Sequence, residues 1–169
     1  MKTEKLQIIS TGEAHWKKGY DIAIKTCYIL KVNKINFEYK IIGAKKSEEV
    51  LFLCNVLNLT KEVKLMDILP YNQMMAYIKE SDIFLQTNIL ENAGNNASDA
   101  MRLNTFVIAT NTIVNTQLIT NGKEGFIVPI LNAKKMAQKI VDFNDLNEIE
   151  TKKIRKRAFE KVGNQFTTN

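Results

Sequence analysis

Six short apolar runs, each followed by residues with helical spacing, constrain this chain's fold more than any other feature. The runs are 6–11, 37–42, 63–66, 82–86, 106–109 and 125–128. Each is short and near-continuous in apolar residues, as expected for strands buried on both faces. Between them, Ile22, Ala23, Cys27 and Leu30 form a helical stripe within 20–32. Ser47 reads as the cap of a helix carrying Val50, Leu51, Cys54 and Leu57. Pro70 reads as the first residue of another, with Met74, Met75 and Ile78 facing inward. A helix starting near Gly94 or Asn95 would bury Ala97, Ala100 and Met101, and 133–143 and 148–162 close the chain. Strand–helix alternation of this kind predicts an α/β fold, a parallel six-stranded sheet with helices on both faces. The 169 residues are enough for one domain with a full core.

Composition excludes several classes. No run of about 18 apolar residues exists, so no membrane-spanning helix is expected. The first residues carry a lysine but no apolar h-region behind it, which argues against a signal peptide. Cys27 and Cys54 both fall inside predicted helices and read as buried free thiols. His15 is the only histidine, and no Cys/His cluster accompanies it, so no zinc site is expected. A reducing, cytoplasmic setting follows from the cysteine usage. The formal charge is +6, and much of the excess lies in Lys152, Lys153, Arg155, Lys156, Arg157 and Lys161. That run reads first as a solvated helix face, then as a contact for anionic lipid or a neighbouring domain. Nucleic acid comes last, because no aromatic-interleaved patch or reading motif accompanies the charge.

In a sheet of this type, ligands bind beyond the carboxyl ends of the strands, near the switch in strand order. The loops to inspect are 12–19, 43–46, 67–70, 88–95 and 110–116. The first contains Lys18 before Gly19 and a helix start, so backbone amides and an ammonium could together hold a phosphate. Neither GxxxxGK[ST] nor GxGxxG is present, and a solvated turn with two lysines remains the alternative. The stretch 88–101 is polar and Asn-rich, with Gly94 to let backbone approach a ligand. Glu91 would sit before the helix and Asp99 about one turn inside it. Two such carboxylates suit sugar or ribose hydroxyls, since each accepts several donated hydrogen bonds. An Asx-rich loop and helix cap is the competing reading.

Four segments, in order, resemble the C-terminal, donor-binding domain of the retaining GT-B glycosyltransferases, the group 1 family. Lys18-Gly19-Tyr20-Asp21 is similar to that family's KG(Y/F)D, and Ser81-Asp82-Ile83-Phe84-Leu85 to its ADvfv. Glu91 and Asp99 have the spacing of its E-x7-E. Val107-Ile108-Ala109-Thr110, with Leu118-Ile119, Asn121-Gly122 and Glu124 to Val128, resembles its pVIat…eLi.dg.eGflv. The resemblance covers nearly the whole chain. It implies one doubly wound, Rossmann-like half of a GT-B fold over residues 1–169, with the N-terminal acceptor domain absent. The ending, 164–169, is similar to the point where the family's last helices cross back, so an excised or split domain is expected.

The resemblance also implies roles. Lys18 would bind the diphosphate of a UDP- or GDP-sugar, and Glu91 would meet the transferred sugar, the two forming the catalytic pair. Asp99 would accept from ribose, amides at Ala93, Gly94 and Asn95 would contact sugar and phosphate, and the Ile68-Leu69 backbone would hold the base. Glu13 would lie at the phosphates, where the family commonly has Arg. Transfer would be retaining, need no metal or other cofactor, and serve a bacterial polysaccharide or glycolipid, with possible contact of the full protein with the inner membrane face. The isolated chain would transfer little or nothing. Besides Glu13, two departures are Asp99, one methylene shorter than the usual Glu, and Phe106 in place of proline. Two other readings stand beside this one: a non-catalytic module that has kept the fold and lost donor chemistry, and another GT-B enzyme such as a sugar-nucleotide epimerase, for which no residue speaks specifically.

Overall fold

A computed structural model describes residues 5–90 and 96–164. The strands are β1 (Leu6–Thr11), β2 (Phe37–Ile42), β3 (Val63–Met66), β4 (Ile83–Gln86), β5 (Phe106–Thr110) and β6 (Phe126–Val128). All neighbours are parallel, in the order β3-β2-β1-β4-β5-β6. The helices are α1 (Tyr20–Val32), α2 (Glu48–Val56), α3 (Tyr71–Lys79), α4 (Asn96–Arg102), α5 (Ile113–Leu118), α6 (Ala133–Asp145) and α7 (Glu148–Asn164). The doubly wound, six-stranded sheet is as expected, and its switch in direction falls between β1 and β4.

Strand periodicity divides the core in two. Leu6 and Ile8 of β1, Ile83 and Leu85 of β4, and Phe106 and Ile108 of β5 join the side chains of α1, α2 and α6. The residues between them, Ile9, Phe84, Val107 and Ala109, point the other way, towards Ile78, Ala97, Ala100, Met101, Ala158 and Val162. Each fully buried aliphatic or aromatic side chain contributes roughly 1.5–3 kcal/mol by leaving water. Phe106 is buried against Phe126 at 5.1 Å and Phe143 at 4.8 Å between ring centroids, so its substitution for proline acts in packing. Cys27 and Cys54 are buried free thiols, and burial pushes Cys27 well above its usual range and Cys54 up to about 11.

Several sequence expectations are corrected. Pro70 is the N-cap of α3, with ψ 146°, and the helix begins at Tyr71. Leu51 does not join the core stripe of α2; it is exposed, beside Phe52. The fourth strand starts at Ile83, one residue later than expected; Asp82 before it is tied to Gln7 twice, its carboxylate accepting from the Gln7 amide at 2.8 Å and its amide donating to the Gln7 carbonyl at 2.9 Å. Part of the loop 110–116 is helix α5, capped by Thr112, whose hydroxyl accepts from the Asn115 amide at 3.3 Å. The basic run on α7 is not all solvated: Arg155 is half-buried and donates to the Asp82 carbonyl at 3.1 Å. No helix among the described residues is long and apolar enough to cross a membrane.

Candidate functional site

The carboxyl ends of β1, β2 and β4 come together through three glycines. Gly12 ends β1 with φ 123°, and its amide continues the ladder to Ile42 at 2.9 Å. Gly43 ends β2 with φ 103°, and a Cβ there would lie 2.8 Å from the Gly12 carbonyl. The two loops therefore cross at backbone contact, which only glycine permits. Residues 16–18 then form one 3-10 turn closed by Gly19 at φ 63°, which is also the N-cap of α1. A Cβ on Gly19 would lie 2.2 Å from the Thr87 carbonyl oxygen. Two hydrogen bonds lock this approach: Thr87 donates to the Lys18 carbonyl at 2.7 Å, and the Ile89 amide to the Lys17 carbonyl at 2.8 Å.

Lys18 is held at the switch point by that turn. Its side chain lies over Gly12, so a Cβ at Gly12 would meet its Cε and Nζ at 2.6 Å. Lys18 Nζ donates to the Thr11 carbonyl at a long 3.5 Å. From the other side Asn96, the first described residue of α4, donates to Thr11 Oγ1 at 2.9 Å. Tyr20 supports the turn from behind, its hydroxyl donating to the Gly12 carbonyl at 2.8 Å. Burial pushes that phenol above its ordinary range, so it stays protonated and remains a donor. Asp99 lies one turn into α4, half-buried and paired with Arg102 Nη1 at 3.1 Å.

Beside this point a cleft of about 390 Å³ opens between the loops after β1, β2 and β3. Glu13, Ala14, Gly43, Lys45, Lys46, Ser47, Asp67 and Ile68 line it. Lys45 and Asp67 pair across it at 2.7 Å; both are exposed, so the pair adds little stability. Glu13 is exposed on its wall. Ile68 is open to the cleft, whereas the half-buried Leu69 side chain packs with the second core cluster. Among the described residues, no group of three His, Cys, Asp or Glu side chains comes together as a metal site.

Of the residues singled out from sequence, Lys18, Asp99, Glu13 and Leu69 all lie on this edge of the sheet. Glu91, Ala93, Gly94 and Asn95 fall outside the described residues. Thr11 and Thr87 were not singled out, and Tyr20, Gly43 and Asn96 were read only as parts of a motif, a loop and a polar stretch, although each shapes the site. A helix-opening Asn and two glycines closing adjacent strands were the available signals. The arrangement presents an ammonium, glycine backbone and a cleft of mixed charge along one line, which is suited to an anionic ligand with a polar head.

Comparison with known proteins agrees with the fold and the motifs. The family described as glycosyl transferases group 1 matches residues 1–161. The protein named as colanic acid biosynthesis glycosyltransferase WcaL of Escherichia coli (strain K12) is 29% identical over 168 residues. That match spans 95% of this chain and 41% of the relative, so the chain spans well under half of the relative's length. The C-terminal domain of the group 1 glycosyl transferase LpcC from Francisella tularensis superposes with a TM-score of 0.84 at 18% identity, over 97% of this chain and 87% of that one. Anabaena HepE, solved with UDP-glucose, superposes at 0.82 with 15% identity, over 96% of this chain and 45% of that one.

Proposed function

We propose, from the premise that this chain belongs to the glycosyl transferases group 1 family, that it is the donor domain, holding a nucleotide-diphosphate sugar at the carboxyl ends of β1 and β4. The observation that carries this reading is Lys18. Its ammonium is laid over Gly12 at the switch in strand order, on a turn pinned to Thr87. There it faces the place where a diphosphate gains charge as the sugar leaves, the point at which fixed positive charge lowers a barrier most. Asp99 accepts from the ribose hydroxyls, and Glu91 and the amides of Ala93, Gly94 and Asn95 meet the sugar. The base rests against the cleft beside Ile68 and the Leu69 backbone. A UDP-sugar is supported by the fold shared with HepE, which binds UDP-glucose; a GDP-sugar fits the same chemistry. Transfer is retaining and needs no metal.

The acceptor is held by a further domain of the full protein, so this chain alone binds donor weakly and transfers little or nothing. The name of WcaL supports a polysaccharide product. Any contact with the inner face of a membrane belongs to the full protein, through the exposed Lys152, Lys153, Lys156 and Arg157 of α7.

A second reading, a fold-keeping module without donor chemistry, is favoured by Glu13, whose carboxylate lines the cleft next to Gly43. Calorimetric titration with UDP, GDP and ADP, with and without EDTA, separates the two. The donor reading expects at least one diphosphate to bind, unaffected by EDTA. Glu13→Arg should then tighten that binding about three- to tenfold, more at low salt, through reversal of one screened charge. A folded sample that binds none of the three refutes the donor reading. Binding that Glu13→Arg leaves unchanged means the carboxylate is turned away from the phosphates.

A further inference from the structure

The cleft end farthest from Lys18 carries a charge pair that the sheet does not need. β2 and β3 end in register at Ile42 and Met66. The Met66 carbonyl then accepts from two amides of the chain leaving β2, Gly43 at 3.0 Å and Lys45 at 3.1 Å. These two hydrogen bonds set Lys45 beside Asp67, which follows Met66 directly. Lys45 Nζ meets one of the two carboxylate oxygens, Oδ2, at 2.7 Å, with the side chains 61% and 50% exposed. A pair so exposed contributes little to stability, so both members can turn to a ligand at small cost. Next to the carboxylate, Ile68 is 71% exposed on the same cleft, an apolar surface suited to covering the face of a flat ring. Backbone bonds thus fix where the pair stands, and solvent leaves its polar atoms open to a partner.

We propose that Lys45 and Asp67 read the base of the donor and select guanine. The inference rests on the donor reading above, in which the base lies beside Ile68. An ammonium next to a carboxylate offers donors followed by two acceptor oxygens. Guanine is the complement: its edge runs acceptor, donor, donor at O6, N1 and N2. O6 accepts from Lys45, while N1–H and the 2-amino group donate to the two oxygens of Asp67. Uracil runs acceptor, donor, acceptor, so one of its carbonyls would face a carboxylate oxygen with no proton between them. Adenine and cytosine each bring a single amino donor to that edge and leave the second oxygen without one. A site built to accept a donated hydrogen bond discriminates against a ligand that lacks the donor. HepE shares the fold at 15% identity, which leaves the base of this chain open.

The test is calorimetric titration of wild-type, Asp67→Asn and Asp67→Ala with GDP, UDP, inosine diphosphate and xanthosine diphosphate. Inosine lacks the 2-amino group of guanine, and xanthosine carries a carbonyl in its place. Wild-type should bind GDP about fivefold or more tighter than inosine diphosphate or UDP. Asp67→Asn puts an amide donor where an acceptor stood, so the ratio of GDP to xanthosine diphosphate affinity should fall about tenfold or more. Using the ratio cancels the change in charge felt by the phosphates, which both ligands share. Asp67→Ala should bind GDP and inosine diphosphate within about twofold of each other, because the partner of the 2-amino group is gone. Asp67 is exposed, so both variants should fold, and thermal denaturation checks this. UDP binding as tightly as GDP in wild-type, or an unchanged ratio in Asp67→Asn, overturns the inference and leaves the donor reading standing. A folded wild-type chain that binds none of the four nucleotides overturns both together.

Discussion

Gly19→Ala should destabilise the domain by on the order of 3 kcal/mol, from left-handed backbone strain and a steric clash that cannot relax locally. Gly19 sits at φ 63°, which costs a residue with a Cβ about 1–2 kcal/mol in a right-handed world of L-amino acids. The added methyl would also lie 2.2 Å from the Thr87 carbonyl oxygen, a backbone atom that cannot rotate away. Thr87 is tied in turn to the Lys18 carbonyl, so relief of the clash must separate the β1 turn from the exit of β4. For a domain of this size the melting temperature should fall by roughly 6–12 °C. Gly163→Ala is the internal comparison: nothing lies within 4 Å of its Cβ position in α7, and replacing a helical glycine there should be neutral or stabilise by about 0.5–1 kcal/mol. Thermal denaturation of the two variants beside wild-type checks both signs. Equal melting temperatures for Gly19→Ala and wild-type would show that the turn is not packed on Thr87 as described.

Lys18→Ala should cost roughly tenfold to a hundredfold in affinity for a nucleoside diphosphate, the worth of one charge-assisted contact of about 1.5–3 kcal/mol. The ammonium lies over Gly12, and the turn that carries it is held by the backbone approach of Gly19 to Thr87 and by the Thr87 and Ile89 hydrogen bonds, so its removal should leave the fold largely intact. Lys17 is the control. It precedes Lys18 on the same turn and lies near the Trp16 ring, 5.8 Å from its centroid, so Lys17→Ala should change affinity far less. A loss for Lys17→Ala equal to that for Lys18→Ala would reduce the role of Lys18 to general positive charge.

The central strands β1, β4 and β5 were legible because they are almost wholly buried on both faces, whereas β2 and β3 keep half-buried or exposed polar positions at Glu38, Lys40 and Lys64. β1, β2 and β3 are read from apolar runs, and α1 from a stripe ending in the positions Cys27 and Leu30 that the structure buries. α5 was missed for a physical reason. Ile-Val-Asn-Thr-Gln-Leu is rich in β-branched residues and only six residues long, and what makes it helical is the Thr112 cap and the buried Asn115. Gln86 and Asn115 were also invisible as partners, since polar residues 29 apart in sequence reveal their pairing only when β4 and α5 are folded together. Lys18 was legible from its motif, whereas its placement over Gly12 depends on a glycine crossing with Gly43 that no local pattern encodes. Leu51 shows the reverse failure: its spacing matched the stripe of α2, but α2 packs on the core through Val50, Leu53 and Cys54 and leaves Leu51 exposed.

The donor reading stands on a nucleoside diphosphate seated over Gly12 at the switch between β1 and β4. The most direct test is NMR mapping of backbone amides as UDP is added to the 169-residue chain. The largest shifts are expected at Gly12, Glu13, Lys18, Gly19, Gly43 and Ile68, with smaller ones on the first turn of α4. Shifts centred instead on α2 and the β3 edge, or on the basic face of α7, would contradict it.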